Sequence, residues 1–269
     1  MQITPLYNVT RRICLLALLL AATSNHCFAA SLYSVTRNPG RVNELDADTG
    51  VLLNSFPTPV VAQSGGGSGL AFSGTELFFS DISFPNIYRL NPHTGAVLGT
   101  FLRPAGSVDA LAYGASSFGS TLFSLDYTAN RFHLLNPLTG ATFGSYAVGF
   151  DVVGGIDYNS FTGTLFASDT GGIIRQLNPD TGAILASFNT GTFQTAVGLV
   201  GNRLFTAAQN GGTIVERNPI TGLVLNSYLS PGGAVSALAG SEIPEPAGAG
   251  MSLAAIAGLA IARHRSMIG

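Results

Sequence analysis

One unit is written five times in this chain: NELDADTGVLLNSF, YRLNPHTGAVLGTF, HLLNPLTGATFGSY, RQLNPDTGAILASF and VERNPITGLVLNSY. The glycines of the five copies are Gly50, Gly95, Gly140, Gly182 and Gly222, so the steps are 45, 45, 42 and 40 residues, the period of a propeller blade. Each copy reads as a β-hairpin. Asn91, Asn136, Asn178 and Asn218 have side-chain oxygens suited to accept the backbone N–H two residues on, the following proline presets φ, and the glycine supplies a left-handed position. The first copy departs, with Asp46-Ala47 in place of Asn-Pro. Residues flanking each turn alternate with period two, as strands do.

A further apolar strand stands before each hairpin: SLYSVT, ELFFSD, TLFSLD, TLFASD and RLFTAA. Before four of these lies a glycine-rich strand: SGLAF, VDALAY, GGIDY and AVGLV. Four strands in sequence make one blade. The first unit lacks its inner strand, while AVSALAG, Ala234 to Gly240, is an inner strand with no outer partners after it. Pairing these halves gives an all-β, five-bladed β-propeller of four-stranded blades, its ring closed by the C-terminal inner strand, with the sheet edges protected. An open solenoid of the same units is the alternative architecture.

Composition agrees, since 34 glycines and 13 prolines in 269 residues supply many turns. The formal charge of -2, with 12 basic residues against 14 acidic ones, lacks the basic excess of a nucleic-acid binder. Arg11 and Arg12, the apolar run Ile13 to Ala22 and Cys27-Phe28-Ala29 read as an export signal over residues 1–29, cleaved after Ala29. A retained N-terminal anchor and a twin-arginine route are alternatives. Both cysteines, Cys14 and Cys27, fall in that segment, so the expected mature body, residues 30–243, has no thiol chemistry and no disulfide.

The repeat resembles the short propeller units of quinoprotein-type and related bacterial extracytoplasmic proteins over roughly residues 31–242, through its D-x-x-T-G-x-x-L-like turns. Quinoprotein dehydrogenases dock their repeats through tryptophan, and this chain has none. Beyond the body, residues 244–269 hold Pro244-Glu245-Pro246, the uncharged run Ala247 to Ala262, and Arg263 with Arg265. As a helix that run spans about 24 Å against a hydrocarbon core of about 30 Å. The arginines after it would keep that end cytoplasmic and the body outside. This ordered triplet resembles the PEP-CTERM sorting signal. The resemblance implies a motif, Pro244-Glu245-Pro246, read by a membrane-embedded exosortase, a transient transmembrane helix, and a stop at Arg263 and Arg265. It further implies a Gram-negative host that makes extracellular polysaccharide, and delivery to the cell surface or matrix. A plain C-terminal anchor is the alternative.

No residue set identifies a reaction, and no catalytic residue, metal site or cofactor is expected. Sites on a propeller are expected near the axis, on the face bearing the turns between second and third strands, with the repeat hairpins on the other face. Asp81, Asp126 and Asp169 end second strands on that expected face, where they can bind Ca²⁺, serve as acid and base, or simply close their own turns. Asp109 and Asp157 lie within inner strands, facing either the central channel or a neighbouring blade. His93 and His133 form no triad or metal cluster, and the glycines at 65–69 enter a strand rather than a helix, which argues against a phosphate cradle. Phe84, Phe118 and Tyr127 are loop aromatics that either stack on sugars or cover blade junctions. The leading expectation is an exported non-enzymatic module contacting polysaccharide or a surface protein. The alternatives are a hydrolase or lactonase with a carboxylate-bound divalent metal, and a quinone-binding redox module.

Overall fold

The five repeat turns share one hydrogen-bonded geometry. At Asn91, Oδ1 accepts the N–H of His93 at 2.9 Å and of Thr94 at 3.0 Å, while the N–H of Gly95 donates to the Asn91 carbonyl at 2.9 Å. The same bonds recur at Asn136, Asn178 and Asn218. Asp46 does the work of asparagine in the first copy, accepting from the N–H of Asp48 and Thr49 and from the Thr49 hydroxyl. Those Thr49 bonds hold its carboxyl below the usual range.

The computed structural model describes residues 30–37, 39–60, 68–104 and 108–241, the side chains of 108, 109 and 153 excepted. The signal reading at 1–29 with Ala29, and the tail at 244–269 with Pro244, Glu245, Pro246, Arg263 and Arg265, lie outside the described residues. Blade 1 contains β1 (Ser31–Thr36), β2 (Arg41–Asp46) and β3 (Leu52–Pro57), and blade 2 contains β4 (Ser68–Phe72), β5 (Leu77–Asp81), β6 (Asn86–Leu90) and β7 (Val97–Leu102). Blade 3 is β8 (Val108–Ser116), β9 (Gly119–Asp126), β10 (Arg131–Leu135) and β11 (Thr142–Ala147). Blade 4 is β12 (Val152–Asn159), β13 (Thr164–Asp169), β14 (Ile173–Leu177) and β15 (Ile184–Asn189). Blade 5 is β16 (Gln194–Val200), β17 (Arg203–Ala208), β18 (Thr213–Arg217) and β19 (Val224–Leu229), followed by β20 (Val235–Gly240).

The result is a five-bladed propeller of antiparallel four-stranded sheets, with β20 entering blade 1 in the order β20-β1-β2-β3. Tyr33 pairs with Ala239, and the N–H of Ser241 donates to the Ser31 carbonyl at 2.8 Å. No strand-to-strand ladder joins one described sheet to the next; inner strands β20, β4, β8, β12 and β16 meet in a ring through packing. Five apolar clusters sit at the five blade interfaces, one of them joining Phe123 and Phe132 of blade 3 to Ile156 and Leu165 of blade 4. Second strands are covered on both sides, so β5 and β13 are buried throughout, whereas the outermost β15 and β19 are largely exposed.

Aromatic rings dock each blade on the next. A Cβ built on Gly95 would lie 2.3 Å from Phe56 of the preceding blade, and one on Gly140 would lie 2.3 Å from Phe101. Gly182 meets Tyr146, Gly222 meets Phe188, and Gly50 meets Tyr228 across the closure, so the contact runs round the whole ring. These glycines have φ of 71–74°, so glycine is required both for its left-handed backbone and for the ring lying on it. Arg203 adds a polar clasp between blades 5 and 1. It bonds both carboxylate oxygens of Glu216 at 2.7 and 2.9 Å and reaches Asp48 at 2.5 Å and the Ala47 carbonyl at 3.1 Å. Those partners, Glu216 first, raise its already high pKa.

Candidate functional site

Small residues decide how much room the axis holds. Halfway along it, Gly69, Ala110, Gly155, Val197 and Ala237 leave only ≈ 10 Å³, about one water at most. A Cβ on Gly155 would sit 2.1 Å from the Val197 nitrogen, and one on Gly240 would sit 1.5 Å from the Leu199 carbonyl oxygen. Neighbouring inner strands therefore touch backbone to backbone, and little room is left among them at the level of Gly155 and Val197.

Where the inner strands finish, the axis opens into a cavity of ≈ 490 Å³. Phe72, Tyr113 and Tyr158, which stand at matching places in the inner strands of blades 2, 3 and 4, opposite Leu77, Leu122 and Leu165, contribute aromatic rings to its lining. Each ring is backed by another: Tyr113 stacks on Phe78 at 6.0 Å and 7°, Tyr158 on Phe123 at 6.2 Å and 10°, and Phe72 tilts against Tyr33 at 5.1 Å. At the equivalent place blade 1 has only Gly240. Ser73, Thr75, Ser120 and Ser160 add hydroxyls at the rim. The walls rise because the β8–β9 hairpin continues beyond the ring, pairing Gly114 with Thr121, Ala115 with Ser120 and Ser116 with Gly119.

This cavity lies on the face of the repeat hairpins, opposite the face on which the sequence pattern placed a site. Strands alternate in direction, so the ends of the inner strands share a face with the turns between third and fourth strands. The segments YGASSFGSTL and YNSFTGTL, longer than VGNRL in blade 5, are the sequence signal that marks the raised wall.

The candidate carboxylates are dispersed. Asp81, Asp126 and Asp169 stand at the opposite end of their blades, each buried and each accepting N–H groups of its own turn. Ser83 donates to Asp81 at 2.9 Å, Thr128 to Asp126 at 3.0 Å, and Gly171 to Asp169 at 2.8 Å. Asp169 is also paired with Arg175, whose guanidinium lies 4.2 Å from the Phe150 ring centroid. Asp81 Oδ2 is buried with no protein partner.

Asp157 is different, because it reaches the cavity wall. Its Oδ1 accepts the N–H of Tyr158 at 2.9 Å, and its Oδ2 accepts those of Leu199 at 2.7 Å and Gly240 at 3.4 Å. One carboxylate thus ties the inner strands of blades 4, 5 and 1. Asp109 is in β8; its side chain lies outside the description.

His93 occupies an exposed turn, its carbonyl accepting from Asn54 of blade 1. His133 faces Ser124 and Ser145 across its sheet, and its Nε2 is buried without a partner. Burial, aided by Arg131 and opposed by Asp126, lowers its pKa. Phe118 projects from the β8–β9 turn, 52% exposed, and stacks on Phe143 at 5.3 Å.

No protein-family model and no curated protein matches the chain. Among solved structures, a chain of a nidogen–laminin complex is similar over 80% of this chain and 100% of its own, with a TM-score of 0.56 and 14% identity. A glutaminyl cyclase from Myxococcus xanthus is similar over 64% of this chain and 68% of its own, with a TM-score of 0.49 and 16% identity. At these identities the likeness is one of fold.

Proposed function

We propose that this chain is an exported, non-enzymatic binding module, a propeller that contacts polysaccharide or a surface protein outside the cell. The observation that supports binding over catalysis is the use made of the carboxylates. Asp81, Asp126 and Asp169 close their own turns on the face away from the cavity, and Asp157 holds three strands together, while the cavity presents rings and hydroxyls. In this reading Pro244-Glu245-Pro246 addresses the chain to an exosortase. Residues 247–262 hold it in the membrane during sorting, and the propeller then resides at the cell surface or in the matrix. The test is co-sedimentation of the exported protein with its host's extracellular polysaccharide. Release of the pelleted protein when the polysaccharide is digested supports the reading. A protein that stays in solution and hydrolyses lactone or ester substrates overturns it.

The second reading is an exported hydrolase or lactonase with a divalent metal on carboxylates in the channel, and Asp157 at the cavity wall is the observation that favours it. Stoichiometric Ca²⁺ lost on replacing Asp109 and Asp157 together would establish it. Unchanged melting in chelator would count against it.

A further inference from the structure

The axial cavity has a chemistry of its own. Its rings come from three consecutive blades, and two of them, Phe72 and Tyr113, are only half-buried. Each is held from behind by a core ring, so it does not have to be ordered when a ligand arrives. Hydroxyls of Ser73, Thr75, Ser120 and Ser160 surround them, among which Ser120 and Thr75 are exposed. Aromatic faces amid hydroxyl groups match a sugar ring, which has an apolar face of C–H groups and an equator of hydroxyls. The volume of ≈ 490 Å³ falls within the range of about 300–1,000 Å³ usual for small-ligand sites.

Charge narrows the class. Among the described residues Asp157 is the only ionisable acid or base lining the cavity apart from the tyrosine phenols, and both its oxygens already accept backbone N–H groups. Among the described residues no arginine or histidine lines the cavity to receive a carboxylate or sulfate. A uronic acid would bring its negative charge toward Asp157 without a partner, which is unfavourable in a partly desolvated cup. Shape narrows it again. Among the described residues the void below the cavity is ≈ 10 Å³, far smaller than a sugar ring, which favours a chain end set down into the cup over a chain passing through it.

We propose that the axial cavity, bounded by Phe72, Tyr113 and Tyr158, is a binding site for the end of a neutral polysaccharide chain. This rests on the polysaccharide reading above and deepens it. Ring stacking on Phe72 and Tyr113 supplies the contact, and the rim hydroxyls set the orientation.

The experiment uses the full chain without its export signal, screened on arrayed neutral and uronate-bearing oligosaccharides and then titrated calorimetrically with the neutral trisaccharide that binds best. Two variants follow. Ser120→Trp fills the cavity from an exposed rim position and leaves the apolar core untouched, while Tyr113→Leu removes a ring but keeps apolar bulk. The expected result is binding of neutral glycans in preference to uronates, trisaccharide affinity within about threefold of that of the polymer per chain end, and at least a tenfold loss in both variants. Unchanged melting of Ser120→Trp shows that its loss is not one of folding. If neutral glycans bind but Ser120→Trp binds equally well, the cavity assignment is overturned while the polysaccharide reading stands. Equal or tighter uronate binding overturns the neutral class. If no glycan binds and the host polysaccharide does not co-sediment either, both readings fall.

Discussion

Replacing Gly95 by alanine tests the docking of one blade on the next. Two separable costs arise. Gly95 has φ of 71°, where an L-residue costs about 1.5 kcal/mol, and the new Cβ would stand 2.3 Å from Cδ2 and 2.7 Å from Cγ of Phe56. Phe56 is 5% exposed and packs in the cluster between blades 1 and 2, so its ring cannot swing away freely; overpacking there adds about 2 kcal/mol. The sum, about 3.5 kcal/mol, corresponds to a fall in melting temperature of roughly 10 °C for a domain of this size. Gly191 is the matched control. It has φ of 78° but nothing within 4 Å of its built Cβ, so Gly191→Ala should cost only the backbone term, roughly 4–5 °C. A double-mutant cycle isolates the ring. In a Phe56→Ala background, Gly95→Ala should lose its steric part, giving a coupling of about 2 kcal/mol by thermal or urea unfolding. Equal costs for Gly95→Ala and Gly191→Ala, together with zero coupling to Phe56, would refute the idea that a ring seated on the turn glycine docks the blades.

Three further outcomes are expected. Tyr146 and Tyr228 dock like the phenylalanines of the other blades, but their buried hydroxyls have no partner and burial raises both pKa values, so Tyr146→Phe and Tyr228→Phe should each stabilise by about 1 kcal/mol in urea titrations. The His133 pKa is depressed below 6.5 in the folded state, so the unfolded chain binds the extra proton first; its contribution is complete above pH 6.5 and is lost as pH falls toward the folded pKa. The melting temperature should therefore drop less between pH 7 and pH 5 in His133→Gln than in the parent. Finally, intact mass of the protein recovered from outside its host should show loss of residues 1–29 and a further deficit from near Pro244. Retention of Arg263 to Gly269 would defeat the sorting proposal and favour a tethered propeller.

Local chemistry made much of the fold legible. An Asn-Pro-x-Thr-Gly turn demands a hairpin wherever it occurs, because its bonds join residues two to five apart, and Asp46 satisfies the same demand with a carboxylate. The unpaired inner strand Ala234 to Gly240 foretold its place beside the first blade, since two half-blades leave complementary edges. The candidate site was less legible. Asp157 has the same residue type as Asp81, yet its oxygens bond Leu199 and Gly240, 42 and 83 residues away, and no local pattern announces those partners. The cavity on the repeat-hairpin face was not foreseen for a related reason: its walls come from the extra length of the hairpins in blades 3 and 4, which matters only once five inner strands converge.

By itself the sequence determined the repeat, the turn geometry, the count of five blades and the four strands of each, because these follow from short-range bonding and from alternation along single strands. Tertiary structure alone decided that Phe56 and its counterparts sit on the next blade's glycine, that Arg203 clasps the closure, and that the axis widens into a cavity where the inner strands finish. Those features arise between blades, where residues about one repeat or more apart compete for the same space, and that competition is resolved only when the ring is complete.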